Sequence, residues 1–208
     1  MESTPRTNLV GFAEYVGAPT SGRLDCVQRQ LRNYDADYRP GADFYKDFVD
    51  ALQAGRRAGD DELSLQRAIS RQNVAVRAEH YRDLRRHWLA MPELHLPTVQ
   101  LHRAFWDVPG LRVSIAPELA LVQQDQTLVV KLWLRRQEPT AEAIKAMHWL
   151  LVNHMPHLAD GGRAAVLDLR RETLHPVPRR KFRRGYGEAL QLEAESMGRL
   201  WQQLARSA

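Results

Sequence analysis

One cysteine, Cys26, is the entire thiol content of this 208-residue chain. Internal disulfides and thiolate-rich zinc sites are excluded at once, because both need several cysteines. Long apolar runs are missing as well. No stretch approaches the roughly 18 consecutive apolar residues that cross a bilayer, so no membrane partner is expected. The opening "MESTPRTNLVGF" lacks the basic-then-apolar plan of a secretory signal,, which makes a cytoplasmic location the expectation. Nucleotide and hydrolase signatures are missing too. No GxxxxGK(S/T), GxGxxG or GxSxG pattern occurs, which disfavours a nucleotide-hydrolysing loop, a dinucleotide fold and a serine-hydrolase elbow.

What is present is ordinary for a globular protein. Hydrophobic residues make up 44% and charged residues 26% of the chain, enough for a real core. The net charge of +5, from 30 Lys+Arg against 25 Asp+Glu, is carried mostly by arginine. It permits nucleic-acid binding without requiring it.

Residues 1–40 carry Pro5, Gly11, Gly17, Pro19, Gly22 and Pro40 with no sustained period. They read as an irregular arm with at most a short helix at "LDCVQRQL". Residues 41–208 read as a single α/β domain. Helices are expected over 43–90, the first capped by Asp43 and stopped at Gly55, the second running from Asp60 or Asp61 to Leu89. Asn73 and His80 lie on or beside the second stripe, so that helix is expected to be partly exposed or broken. Residues 91–110, with Pro92, Pro97 and Pro109, read as mostly irregular. The sheet core falls within 111–178, and a last helix spans 187–206.

Within 111–178 the texture is β-rich. "LRVSIA", "LALVQQ" and "TLVVKLWL" are joined by connections short enough to predict a three-strand antiparallel meander. Thr140 caps a mostly apolar helix, "AEAIKAMHWLLVNHM", and "RAAVLDL" is a fourth strand,. A strand after a crossover helix joins its neighbour in parallel. "TLHPV" is short and holds Pro176, which suits an edge. The prediction is an α/β fold: a mixed sheet of αβββαβ type flanked by helices.

Lys131 interrupts that plan. Side chains alternate along a strand, so Val129, Lys131 and Trp133 share one face. If both faces are covered, the ammonium needs a carboxylate, since an unpaired buried charge costs several kcal/mol. Glu118, at the end of a neighbouring strand, and Asp168, in "AAVLDL", are the two candidates. Asp168 can alternatively pair with Arg170 or Arg171.

The helix, meander, helix and strand series, with "APEL" entering one strand and "VVKLW" forming the next, resembles the PD-(D/E)XK nuclease superfamily. Residues 111–207 are also similar to a group of uncharacterised actinobacterial proteins with "PEL", "VKLW" and "VLD(L/V)RR" segments. The superfamily resemblance implies an αβββαβ core in which Glu118 occupies the first acidic position and Lys131 the lysine position. The second acidic position, two before the lysine, is Val129. This departure removes an oxygen ligand that Mg²⁺ would need. An active metal-dependent nuclease would require a relocated carboxylate, from Asp125, Glu142 or Asp168. Without one, the resemblance implies a nuclease-like domain that has lost metal-dependent cleavage, needs no cofactor and serves as a binding module. A third reading is an adaptor protein docking on a protein partner through the N-terminal arm.

Candidate catalytic residues are therefore Glu118, Lys131 and Asp168. Candidate nucleic-acid contacts are Arg179, Arg180, Lys181, Phe182, Arg183 and Arg184, in the most basic stretch of the chain. There guanidiniums can neutralise phosphates while aromatics stack on unpaired bases. A solvated connector anchored by Phe182 is the competing reading. His148, His154 and His157 do not have the i, i+4 spacing of a zinc pair, and no metal site is assigned to them.

Overall fold

The computed structural model describes residues 4–35, 44–178 and 182–207. The chain is α/β, as its patterning predicts, but its strands form two mixed sheets. One has the order β1 (Arg6–Asn8), β3 (Leu111–Ile115), β2 (Ala104–Val108). The other has the order β4 (Leu119–Gln123), β5 (Gln126–Trp133), β6 (Arg163–Asp168), β7 (Thr173–Pro176). No helix among the described residues is long and apolar enough to cross a membrane.

The expected meander is corrected by this division. β4 and β5 pair antiparallel, but β3 leaves them to pair antiparallel with β2 and parallel with β1. Ala116, Pro117 and Glu118 form the connection between sheets. Pro117 has no N–H to give a ladder, so a short link here does not continue the pairing. β2 lies inside the 91–110 segment that its prolines mark as irregular. Pro109 and Gly110, with φ 81° at the glycine, make the turn that folds β2 onto β3.

The N-terminal segment is corrected too. Instead of an irregular arm, the described residues 4–35 form β1, α1 (Leu9–Gly17) and α2 (Thr20–Asp35). Asn8 caps α1 by accepting from the Gly11 amide at 2.8 Å,. Gly11 marks a close approach: a Cβ there would lie 2.7 Å from Thr7 Oγ1 and 2.8 Å from Gln30 Oε1. Leu9, Phe12 and Val27 from this segment are fully buried.

The two helices expected over 43–90 are three: α3 (Lys46–Ala58), α4 (Asp61–Ser70) and α5 (Ala75–Leu89). The break at 71–74 falls beside Asn73. Asp43 lies outside the described residues. Gly55 does not stop α3, which runs on to the left-handed Gly59 at φ 71°,. A Cβ on Gly55 would lie 2.7 Å from Asp61 Cα, so the glycine lets α4 pack against α3.

The second half follows expectation more closely. Thr140 caps α6 (Ala141–Asn153) by accepting from the Ala143 amide. A short helix, α7 (Met155–Leu158), follows, then β6, parallel to β5. β7 is the edge strand beyond β6. The chain ends in α8 (Tyr186–Ser207).

Both faces of β5 are covered. Val130, Leu132 and Leu134 pack into a cluster with Phe48, Leu52, Tyr81 and Trp88 of α3 and α5. Val129 and Trp133 join Phe12, Met147, Leu150 and Met197 of α1, α6 and α8. An ammonium on this strand is thus surrounded by apolar packing.

Candidate functional site

Lys131 is 7% exposed. Its ammonium donates to the Ala116 carbonyl at 2.9 Å and to Glu118 Oε1. Of the two carboxylates that the strand plan offers, Glu118 is the partner. Asp168 shares the face of Lys131 but lies two pairs further along, opposite Trp133. It accepts from Arg171 Nη1 at 2.9 Å, while its Oδ1 is buried without a hydrogen-bond partner. The structure thus brings Glu118 and Lys131 together and engages Asp168 elsewhere.

Register explains why Glu118 sits where it does. The last ladder pair of β4 and β5 is Leu119↔Val130, and the Glu118 amide donates to the Val130 carbonyl at 3.1 Å. Beyond that point β4 no longer borders β5, which would leave the Leu132 amide without an acceptor. Glu118 Oε2 accepts from it at 2.7 Å. The carboxylate therefore replaces the missing strand, and the ammonium ties it to the connection between the sheets. Gln53 of α3 donates to the Glu118 carbonyl at 2.8 Å. The pair thus fastens three elements at one corner.

That corner opens into a cleft of about 520 Å³ whose walls include Tyr45, Gln53, Arg103, Ser114, Lys131 and Arg135. Arg135 is held by Glu14 of α1 at 2.6 Å. Burial raises the Glu14 pKa above the usual carboxylate range, although Arg135 and Arg29 oppose the shift,. Glu14 was not legible as part of this corner, because it comes from the segment read as irregular.

The fit to a divalent metal is poor. Both Glu118 oxygens are occupied by Lys131 and Leu132, and Val129 is fully buried aliphatic surface. Asp125 is an exposed turn residue, and Glu142 pairs with Lys145 on exposed α6 surface. Among the described residues no group of three or more His, Cys, Asp or Glu side chains is arranged to hold a metal ion. His148 and His154 are engaged with backbone. Their ring nitrogens lie 2.8 Å from the His175 and Leu150 carbonyls respectively, and burial holds both below the ordinary histidine pKa.

Of the basic stretch, Arg179, Arg180 and Lys181 lie outside the described residues. Arg183 and Arg184 are exposed just before α8. Phe182 stacks on Tyr186, with ring centroids 5.7 Å apart and planes 7° from parallel. Lys145 of α6 lies 4.2 Å from the same Tyr186 ring. The lysine contact ties the start of α8 to α6, and burial pushes the Tyr186 phenol pKa up.

Three further polar groups escaped the sequence reading. Arg56 and Asp61 form a buried ion pair at 2.5 Å beneath Trp88, whose indole donates to Asp61 at 2.7 Å. Glu14 is the second group. The third is a cleft of about 580 Å³ lined by Glu79, His80, Arg82, Asp83, Arg86, Arg136 and Arg170. Its sequence signal was a repetition: adjacent parallel strands β5 and β6 both run into Leu-Arg-Arg, at 134–136 and 169–171. A scan of protein-family models finds no match to the chain, and a search of curated proteins finds none either.

Proposed function

We propose that this chain is a nuclease-like α/β module that binds nucleic acid and does not carry out metal-dependent cleavage. The reading is carried by the state of Glu118. At the position where a metal ligand would be wanted, the carboxylate completes a β-ladder and neutralises Lys131. Lys131, bound to the Ala116 carbonyl and Glu118, is then a structural cation. For the binding surface, the support is exposed Arg183 and Arg184 beside the Phe182–Tyr186 stack. Exposed guanidiniums release counterions from phosphates and supply affinity without sequence reading.

Fluorescence anisotropy with single- and double-stranded DNA and RNA tests this. Binding that weakens steeply with salt is expected. Replacing Arg179, Arg180, Arg183 and Arg184 by alanine should lower affinity and flatten the salt slope by roughly 0.9 per lost phosphate contact. Unchanged affinity in that variant overturns the nucleic-acid reading. Cleavage with Mg²⁺ or Mn²⁺ that disappears in Lys131→Ala restores the enzyme reading in its place.

A further inference from the structure

We propose that the cleft at the carboxyl ends of β5 and β6 is a binding site for a compact phosphate anion, such as pyrophosphate or the diphosphate of a nucleotide. It is separate from the Lys131 corner and from the stretch before α8, so it does not depend on the nucleic-acid reading.

Three chain segments build it. α5 presents Arg82 and Arg86, four residues apart on one helical face. The segment leaving β5 contributes Arg136, and the segment leaving β6 contributes Arg170. The crevice outside the carboxyl ends of neighbouring parallel strands is where open α/β sheets commonly hold ligands. Here the two Leu-Arg-Arg runs deliver guanidiniums to that crevice from adjacent strands.

One of these arginines is fixed in place. Arg170, 9% exposed, donates through Nε to the Leu134 carbonyl at 2.9 Å, through Nη1 to Asp83, and through Nη2 to His80 Nδ1 at 2.9 Å. An arginine can only donate, so His80 Nδ1 accepts and the ring is neutral with its proton on Nε2. Burial and the neighbouring Arg136 and Arg170 charges hold the His80 pKa below its ordinary value, consistent with that state. Three of the five Arg170 N–H donors are thereby used, and its plane is set before any ligand arrives.

The remaining charge is unbalanced. Four guanidiniums face two carboxylates, Glu79 and Asp83, and Asp83 is shared between Arg86 and Arg170. Arg82 and Arg136 are exposed and carry no ion pair among the described residues. A single carboxylate offers two oxygens and one charge to such a set. A phosphate group offers three oxygens and up to two charges, and arginine forks match its geometry.

The test is isothermal titration calorimetry of the full chain with inorganic pyrophosphate at low salt. Saturable one-to-one binding is expected. The double variant Arg82→Gln/Arg136→Gln should weaken it roughly tenfold or more with an unchanged melting temperature. Arg163→Gln, at the amino end of β6, should leave it unchanged. Adenosine diphosphate and a short single-stranded oligonucleotide serve as competitors. Tighter binding by the diphosphate assigns the site to a nucleotide, and tighter binding by the oligonucleotide assigns it to a strand backbone. Absence of saturable pyrophosphate binding, or equal affinity in the double variant and the parent, overturns the proposal.

Discussion

The Lys131 corner sits on β5 and the arginine cleft opens just past the end of that strand, where Arg136 follows Lys131 by five residues, yet the two handle positive charge in opposite ways. At the corner the cation is enclosed between two hydrophobic clusters, and it has a carboxylate and a carbonyl as partners. Just beyond the strand, where β5 and β6 reach solvent, arginines accumulate with fewer acids than they could engage. The difference follows from desolvation. A charge removed from water must be paired where it sits, whereas a charge at the surface is stabilised by solvent and stays available to a ligand. Paired charge holds the fold here, and unpaired charge offers itself to a partner.

Removing one member of the buried pair should break this contrast most sharply. Lys131→Ala leaves Glu118 with an uncompensated charge between the sheets and should destabilise the protein by about 3–5 kcal/mol in denaturant unfolding. The double variant Lys131→Met/Glu118→Leu should recover much of that loss, although the Leu132 amide then lacks its acceptor. If Lys131→Ala alone is neutral, the pair is not what joins the sheets.

A smaller effect is expected at the boundary between the two regions. Arg170→Met keeps the apolar stem but removes the donors to Leu134, Asp83 and His80. A loss of about 1–3 kcal/mol is expected, less than at Lys131 because Asp83 is partly exposed and keeps Arg86. Equal losses at both arginine and lysine would erase the distinction between corner and cleft.

The smallest effect concerns a buried polar group that remains uncharged. His148 is 4% exposed, and burial is the main cause of its lowered pKa. A histidine depressed in the folded state contributes stability that is present above its ordinary pKa. That stability is lost as pH falls through the window down to the folded value. The parent should therefore lose stability on acidification below about pH 6.5, at no more than about 1.4 kcal/mol per pH unit for this group. His148→Gln, which can still donate to the His175 carbonyl, should show a shallower dependence in unfolding measurements at stepped pH. An unchanged slope would mean that His148 is not held neutral by the fold.

Much of the second half was legible because its signals are local. Thr140 caps, the apolar helix crosses over, and β6 returns parallel to β5, each following from patterning and chain chirality. Pro176 marks an edge strand because it cannot donate to a ladder. The first half departs from its pattern where glycines and prolines serve packing rather than interruption. Gly11 and Gly55 permit close approaches between elements, and Asn8 starts a helix that the scattered glycines obscured. Residues 104–108 become a strand only because the Pro109–Gly110 turn lays them alongside β3.

From its sequence alone this protein is an α/β chain whose β5 carries a lysine in need of a carboxylate, with Glu118 and Asp168 both eligible. Alternation and hydrophobic periodicity suffice for that, since they act over a few residues. Which carboxylate answers the lysine was decided by register between β4, β5 and β6, a relation among strands that no single segment encodes. Beyond the repeated Leu-Arg-Arg run, the arginine cleft belongs to tertiary structure. Its members, from Arg82 to Arg170, are scattered over nearly ninety positions and converge only once a helix is packed beside two parallel strand ends.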